Sequence, residues 1–309
     1  MTRYLAFLFL LLPTLSFGQA SMPADYQSVL TTLGKQGDFK DNVLRVNIPR
    51  NDLHVVIDGV ATPTPFGFGG WLALTKGTGG MDVMMGDLVL TEDEVNPVMS
   101  ALLTNGLDVT ALHNHFFLDT PRIFYMHVHG HGTASDLATK VKPALALIGA
   151  TSSSPDRRGG PSGPPAAGRA ITGTLDSASL AKIVGYDGEQ NGAVYKITIG
   201  RPDIPLKEMG ASINSRMGLN TWAAFYGSDA DAVVAGDIAM LDREVTPVLK
   251  SLRSNGIDVV AIHHHMTGTD PQVIFLHYWG KGSAQKLATA FRAAIDQTGA
   301  RPHATAARR

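Results

Sequence analysis

The segment GDLVLTEDEVNPVMSALLTNGLDVTALHNH, Gly86 to His115, aligns without a gap to GDIAMLDREVTPVLKSLRSNGIDVVAIHHH, Gly236 to His265, 150 residues further along the chain. The two halves are one unit written twice, so a fold that suits one must suit the other. With one residue of slippage the match runs upstream through Trp71 with Trp222 and VLRVNIPR (Val43 to Arg50) with VYKITIGR (Val194 to Arg201). Downstream it runs from PRIFYMHVHGHG to PQVIFLHYWGKG. A length of 309 residues with 44% hydrophobic content gives each copy enough material for its own core.

The copies set the organisation. Residues 1–20, MTRYLAFLFLLLPTLSFGQA, have a basic start, a short apolar run broken by Pro13, and small residues at a cleavage point, which is the pattern of a secretory signal peptide. The apolar run is too short to span a bilayer, and no later segment is long enough, so no stable membrane insertion is expected. The first unit then occupies 21–150, a Ser/Pro/Gly-rich linker 151–174, the second unit 175–300, and a flexible tail 301–309. Export implies a periplasmic or secreted protein. A net charge of −1, from 26 basic and 27 acidic residues without runs of either sign, gives no electrostatic reason to expect nucleic acid or an anionic membrane as partner. A small molecule or a metal fits better, and the oligomeric state is not encoded in any pattern here. The absence of cysteine excludes disulfides, thiolate chemistry and Cys-based zinc sites.

Each unit reads as a short helix (Tyr26 to Leu33; Ser179 to Val184), strands at Val43 to Ile48 and Val194 to Ile199 and around Trp71 and Trp222, then a helix (Glu94 to Thr104; Glu244 to Ser254) stopped by Asn-Gly. Two strands follow, LDVTALHNH with RIFYMHVHG and IDVVAIHHH with VIFLHYWG, joined by turns containing Pro121 and Pro271. A last helix, Ala134 to Leu147 or Ala284 to Asp296, closes the unit. The expectation is an α+β fold of two tandem homologous units, each an antiparallel sheet with a histidine-bearing hairpin and flanking helices.

That hairpin gathers histidines. Alternate strand residues share a face, so His113 and His115 are neighbours, and a turn centred near Thr120 sets His127 opposite His113. The second unit repeats the set with His263, His265 and His277, about a turn near Asp270. These are the three histidine positions that recur in both halves. His129 and His131 extend the face in the first unit alone, where the second has Trp279 and Lys281. Three imidazoles on one face suit a divalent first-row metal, zinc first, with copper, iron or nickel also compatible. The candidate ligands are therefore His113, His115, His127 and His129, and His263, His265 and His277. The bland alternative is a polar interface where the units face each other, its rings stacked and bonded to backbone carbonyls.

Glu94 and Glu244, or Asp87 and Asp237, recur in register as candidates for a fourth ligand or general base, with Glu94 the candidate catalytic residue; capping and helix-dipole effects favour the same residues for structural reasons. Met81, Met84 and Met85 offer thioethers but suit core packing better, since the second unit has AVVAGD there. GFGGW and GTGG lack a following P-loop lysine and read as turns. His54 and His303 stand alone and read as incidental.

The motifs MMGDLVLTEDEVNPVMSALLTNGLDVTALHNH, PRIFYMHVHGHG and NGAVYKITIGR resemble the LppY/LpqO-type family of exported bacterial proteins, a domain of unknown function, over nearly the whole mature chain. The family takes its name from lipoproteins; this chain has no lipid-bearing Cys, which implies a soluble exported form. The AIHHH and GKG of the second unit depart from the pattern of the first. Three readings remain: an exported metal-binding protein, a metallohydrolase or oxygenase on a small or cell-wall substrate, and a non-catalytic carbohydrate-binding or structural module using Trp71, Trp222 and Trp279 as stacking faces.

Overall fold

The computed structural model describes residues 21–150 and 168–300. The expected signal segment, the tail and most of the linker lie outside the described residues. The first unit runs α1 (Ala24–Leu33), β1 (Gly37–Lys40), β2 (Val43–Pro49), β3 (Val55–Ile57), β4 (Val60–Thr62), β5 (Gly69–Lys76), β6 (Asp82–Thr91), α2 (Glu92–Thr104), β7 (Asp108–His113), β8 (Asp119–Thr120), β9 (Ile123–Gly132) and α3 (Ala134–Leu145). The second runs α4 (Ser177–Val184), β10 (Gly188–Asn191), β11 (Val194–Gly200), β12 (Lys207–Glu208), β13 (Ala211–Ser212), β14 (Asn220–Gly227), β15 (Ala232–Leu241), α5 (Asp242–Ser254), β16 (Asp258–His263), β17 (Val273–Gly282) and α6 (Ala284–Ile295). The architecture is a two-repeat α+β fold with antiparallel sheets and six α-helices among the described residues. None of those helices is long and apolar enough to cross a membrane.

Each unit builds a six-stranded sheet, in the order β1-β2-β5-β6-β9-β7 and β10-β11-β14-β15-β17-β16. The period-two pattern of β6 shows how a sheet acquires two faces. Met84, Leu88 and Leu90 point to a core shared with the helices, where Val98 and Leu102 of α2 and Leu137 and Val141 of α3 meet them. Val83, Met85 and Val89 point the other way, into two apolar clusters that mix residues of both units. Phe66, Phe116 and Tyr125 meet Tyr226 and Trp279 in one; Val43 and Ala73 meet Ile213, Met217 and Phe275 in the other. The result is four layers, helices outside and two sheets face to face.

The Asn-Gly stops act as expected. Gly106 and Gly256 take φ of 71° and 72° after α2 and α5, and the N–H of Leu107 and of Ile257 return to the carbonyls of Leu102 and Leu252. Met84 and Met85 are buried in these cores, as packing requires, while Met81 is exposed.

The strand register differs from the expected one. β7 pairs antiparallel with β9, but His113 lies opposite Tyr125, and His127 opposite Ala111. In the second unit His263 lies opposite Phe275 and His277 opposite Ala261. In both units the connection, 114–122 and 264–272, is an open loop and not a tight turn; the first unit's loop carries β8, which pairs with β3, but the second unit has the same shift with no strand there. The shift is two residues, an even number, so His127 keeps the face of His113 and sits diagonal to it instead of across from it. A bulge interrupts each ladder, between Val109 and Ala111 and between Val259 and Ala261. Its first-unit residue, Thr110, donates its hydroxyl to the His265 carbonyl at 2.7 Å and ties the edge strand to the other unit.

Candidate metal centre

The six recurrent histidines do not form one triad per unit. They form a single cluster where the two sheets meet, because His113 of β7, His127 of β9, His263 of β16 and His277 of β17 lie on faces turned toward the other unit, with His115 and His265 just past the ends of β7 and β16. The rings follow a local two-fold relation. His113 and His263 meet at its centre with ring centroids 3.8 Å apart. His115 stacks on His277 at 3.5 Å and, equivalently, His265 on His127 at 4.1 Å. Tyr125 backs His115 at 3.3 Å as Phe275 backs His265 at 3.4 Å.

Within this cluster the nitrogens converge. His113, His127 and His263 place one ligand atom each within 4.8 Å of one another, and so do His113, His115 and His277. The His113 and His127 Nε2 atoms are 2.9 Å apart. His113 belongs to both groups, so with one nitrogen committed per ring they are alternative seats for one ion. Backbone carbonyls fix the ring orientation: Nδ1 of His277 donates to the Gly236 carbonyl at 3.3 Å, leaving its Nε2 lone pair free, and His127 is held to the equivalent Gly86. Nε2 of His115, His265 and His277 and both nitrogens of His263 are buried without a hydrogen-bond partner. Burial, reinforced by the crowded rings, holds all six well below the usual imidazole range, with His113 and His265 lowered to about 3. They are neutral at pH 7, the ligating form. The stacked, carbonyl-anchored interface read as the bland alternative is thus present, and the orphaned nitrogens are what it leaves unexplained.

A cavity of about 560 Å³ between the sheets borders His115 and His265. Trp71 and Trp222 line it, the Arg45 guanidinium 3.9 Å above the first ring and the Lys196 ammonium 4.0 Å above the second. Asp87 and Asp237 face it from β6 and β15. Burial and the neighbouring Asp237 push Asp87 up to about 8, and burial raises Asp237 well above the carboxylate range. Burial and nearby Arg45 bring Lys196 down to about 8. Asp237 Oδ2 lies 3.4 Å from His265 Nε2, which joins the cavity to the cluster.

The other sequence candidates fall elsewhere. Glu94 is buried at the start of α2, and its carboxylate is fully committed: Oε2 accepts from Arg50 Nη1 at 2.6 Å and the Thr91 N–H at 2.8 Å, and Oε1 from Arg50 Nη2 at 3.1 Å and the Gly149 N–H at 2.6 Å. Glu244 repeats this with Arg201, Leu241 and Gly299. No histidine is among these partners. Trp279 is buried in the apolar core, edge-on to Phe66 and Phe116, and offers no stacking face. His54 is exposed. His264 spends Nδ1 on the Val273 carbonyl at 3.2 Å, the bond that Asn114 makes to Ile123 at 2.7 Å, so either residue type serves there. His129 stands apart from the six, 2.8 Å from Glu208 of β12. Glu208 carries no sequence signal: it is a lone acid in a two-residue strand, and only the apposition of the units brings it to a histidine.

Fold and site together define a duplicated α+β protein with an imidazole cluster clasped between its halves. The chain belongs to the family described as Domain of Unknown Function (DUF1259), whose model matches twice, over residues 27–147 and 178–297. No curated protein matches it. Among solved structures it is similar to a trimeric bacterial microcompartment shell protein, PduB, at 11% identity and a TM-score of 0.20, covering 84% of this chain and 89% of that one. It is also similar to EtuB from Clostridium kluyveri, at 9% identity and a TM-score of 0.20, covering 85% of this chain and 90% of that one.

Proposed function

We propose that this is an exported metal-binding protein whose two units jointly hold one divalent first-row ion, zinc foremost, in the histidine cluster. The observation that carries the reading is the convergence of His113 and His127 with His263 of the opposite unit, amid neutral imidazoles of which His115, His263, His265 and His277 bury nitrogens without a hydrogen-bond partner. Burying so many orphaned nitrogens costs free energy that ligation would return. Imidazole-only ligation leaves positions open to water or a small molecule, as a carrier or sensor requires. Export rests on the signal-like residues 1–20, and the likeness to the LppY/LpqO-type family rests on the quoted motifs.

A second reading, hydrolysis or oxygenation of a small substrate at that ion, is favoured by the cavity that reaches His115 and His265 beside Asp87 and Asp237. In that case the aspartates, rather than Glu94, are the acids placed to move a proton.

The test is elemental analysis of untagged protein with a melt before and after chelation. A metal bound only by the native state at a hundredfold above its Kd adds about 2.7 kcal/mol. The expected result is a chelator-sensitive melt and loss of one metal equivalent in His113→Ala/His263→Ala. A folded double variant that keeps every equivalent would overturn the proposal.

A further inference from the structure

The first unit departs from the second at His129 and His131, where the second has Trp279 and Lys281. Both imidazoles lie on the face of β9 that meets the other unit, their ring centroids 4.8 Å apart and their planes at 81°. Glu208, from β12 of the second unit, comes to the same point, and one ligand atom from each of the three lies within 4.8 Å of the others. Glu208 Oε1 lies 2.8 Å from His129 Nε2, so carboxylate and imidazole already pair across the two units. The Nε2 atoms of His129 and His131 and Oε2 of Glu208 are all buried without a hydrogen-bond partner, and His129 is only 6% exposed. Two imidazoles and a carboxylate that converge with atoms still unsatisfied are a donor set suited to a shared cation.

The second unit supplies an internal comparison. Lys281, aligned with His131, extends its ammonium to Asp58 of the first unit, 2.8 Å from Oδ2 and 3.1 Å from the backbone carbonyl. There the acid offered by the opposite unit meets a cation built into the chain. At Glu208 the chain supplies two imidazoles instead, side chains that can ligate a metal cation.

We propose that His129, His131 and Glu208 form a second metal site, for zinc or a similar borderline divalent ion, that bridges the two units independently of the six-histidine cluster. Two imidazoles and one carboxylate satisfy the ligand preferences of such an ion and leave a position for water. The site occurs once among the described residues, because Trp279 and Lys281 replace its two histidines in the second unit.

The experiment is zinc titration of the full chain by calorimetry, with zinc as the sole added ligand. Wild type is expected to take two equivalents, His113→Ala/His263→Ala one, and His131→Ala or Glu208→Gln one. His131→Lys guards against a folding artefact: the lysine should pair with Glu208 as Lys281 pairs with Asp58, keeping the melt of the metal-free protein while losing one equivalent. Failure of the six-histidine site alone would leave His131→Ala without bound zinc and wild type with one equivalent. A folded His131→Lys protein that still binds as many equivalents as wild type would overturn this proposal.

Discussion

Replacing Glu94 by Gln separates architecture from chemistry at the one acid the sequence nominated for catalysis. In the structure its two oxygens accept four N–H donors, two from Arg50 and one each from the backbones of Thr91 and Gly149. Arg50 and Glu94 are 2% and 1% exposed, so water cannot substitute for a lost partner. Glutamine has nearly the same shape but removes the charge and turns an amide N–H₂ toward groups that are already donors. Breaking a buried ion pair by removing one partner costs about 3–5 kcal/mol. At about 2–4 °C per kcal/mol for a cooperative unit of 150–250 residues, Tm should fall by roughly 6–20 °C. Thermal and urea melts of metal-free protein measure this directly. Glu244→Gln should show a comparable loss, because Arg201, Leu241 and Gly299 reproduce the same four bonds. A Glu94→Gln protein melting within about 2 °C of wild type would refute the structural assignment, decisively so if it had lost function with its stability intact.

Two further predictions concern the residues around the cluster. A Cβ at Gly236 would sit 2.0 Å from the Trp222 carbonyl and 2.3 Å from the Tyr278 hydroxyl, whereas at Gly86 the nearest atom is the movable Leu72 Cδ2 at 2.5 Å. Gly236→Ala should therefore cost about 3 kcal/mol, the upper end for overpacking, and exceed Gly86→Ala in a urea melt; equal effects would contradict the packing argument. Asp87, raised to about 8 by burial and Asp237, holds its proton when folded but loses it above about pH 4 when unfolded. Its contribution to stability is present below about pH 4 and is lost as pH rises to about 8, at about 1.4 kcal/mol per unit. Asp87→Asn removes that slope. Metal-free wild type should lose stability relative to Asp87→Asn between pH 5 and pH 8, and a constant difference would sink the claim.

Much of the fold was legible because its signals lie in the sequence itself and need no tertiary contact. Strand alternation and the Asn-Gly stops at Gly106 and Gly256 depend on residues within a few positions of one another, and the duplication is read by laying one half of the sequence on the other. The face shared by His113 and His127 was also legible, since a two-residue error in register leaves side-chain parity unchanged. The precise register was not, because the connections 114–122 and 264–272 are open loops whose geometry no turn residue specifies. Glu94 misled for a related reason. A helix-start acid that bonds its own backbone and one that serves a site look alike until Arg50 and Gly149 are seen around it.

The sequence by itself determined that there are two copies of one α+β unit, and which histidines lie on one face of each. Only the tertiary structure decided that the two faces meet, turning two expected triads into one cluster with His113 against His263 and bringing Glu208 to His129. The physical reason is that each sheet carries apolar patches beside its histidines on the face away from its own helices. Val83, Met85 and Val89 of one unit must be covered by something, and the matching patches around Ala235 and Phe275 of the other unit cover them. Sequence periodicity reports which face of a strand is buried, but not what buries it.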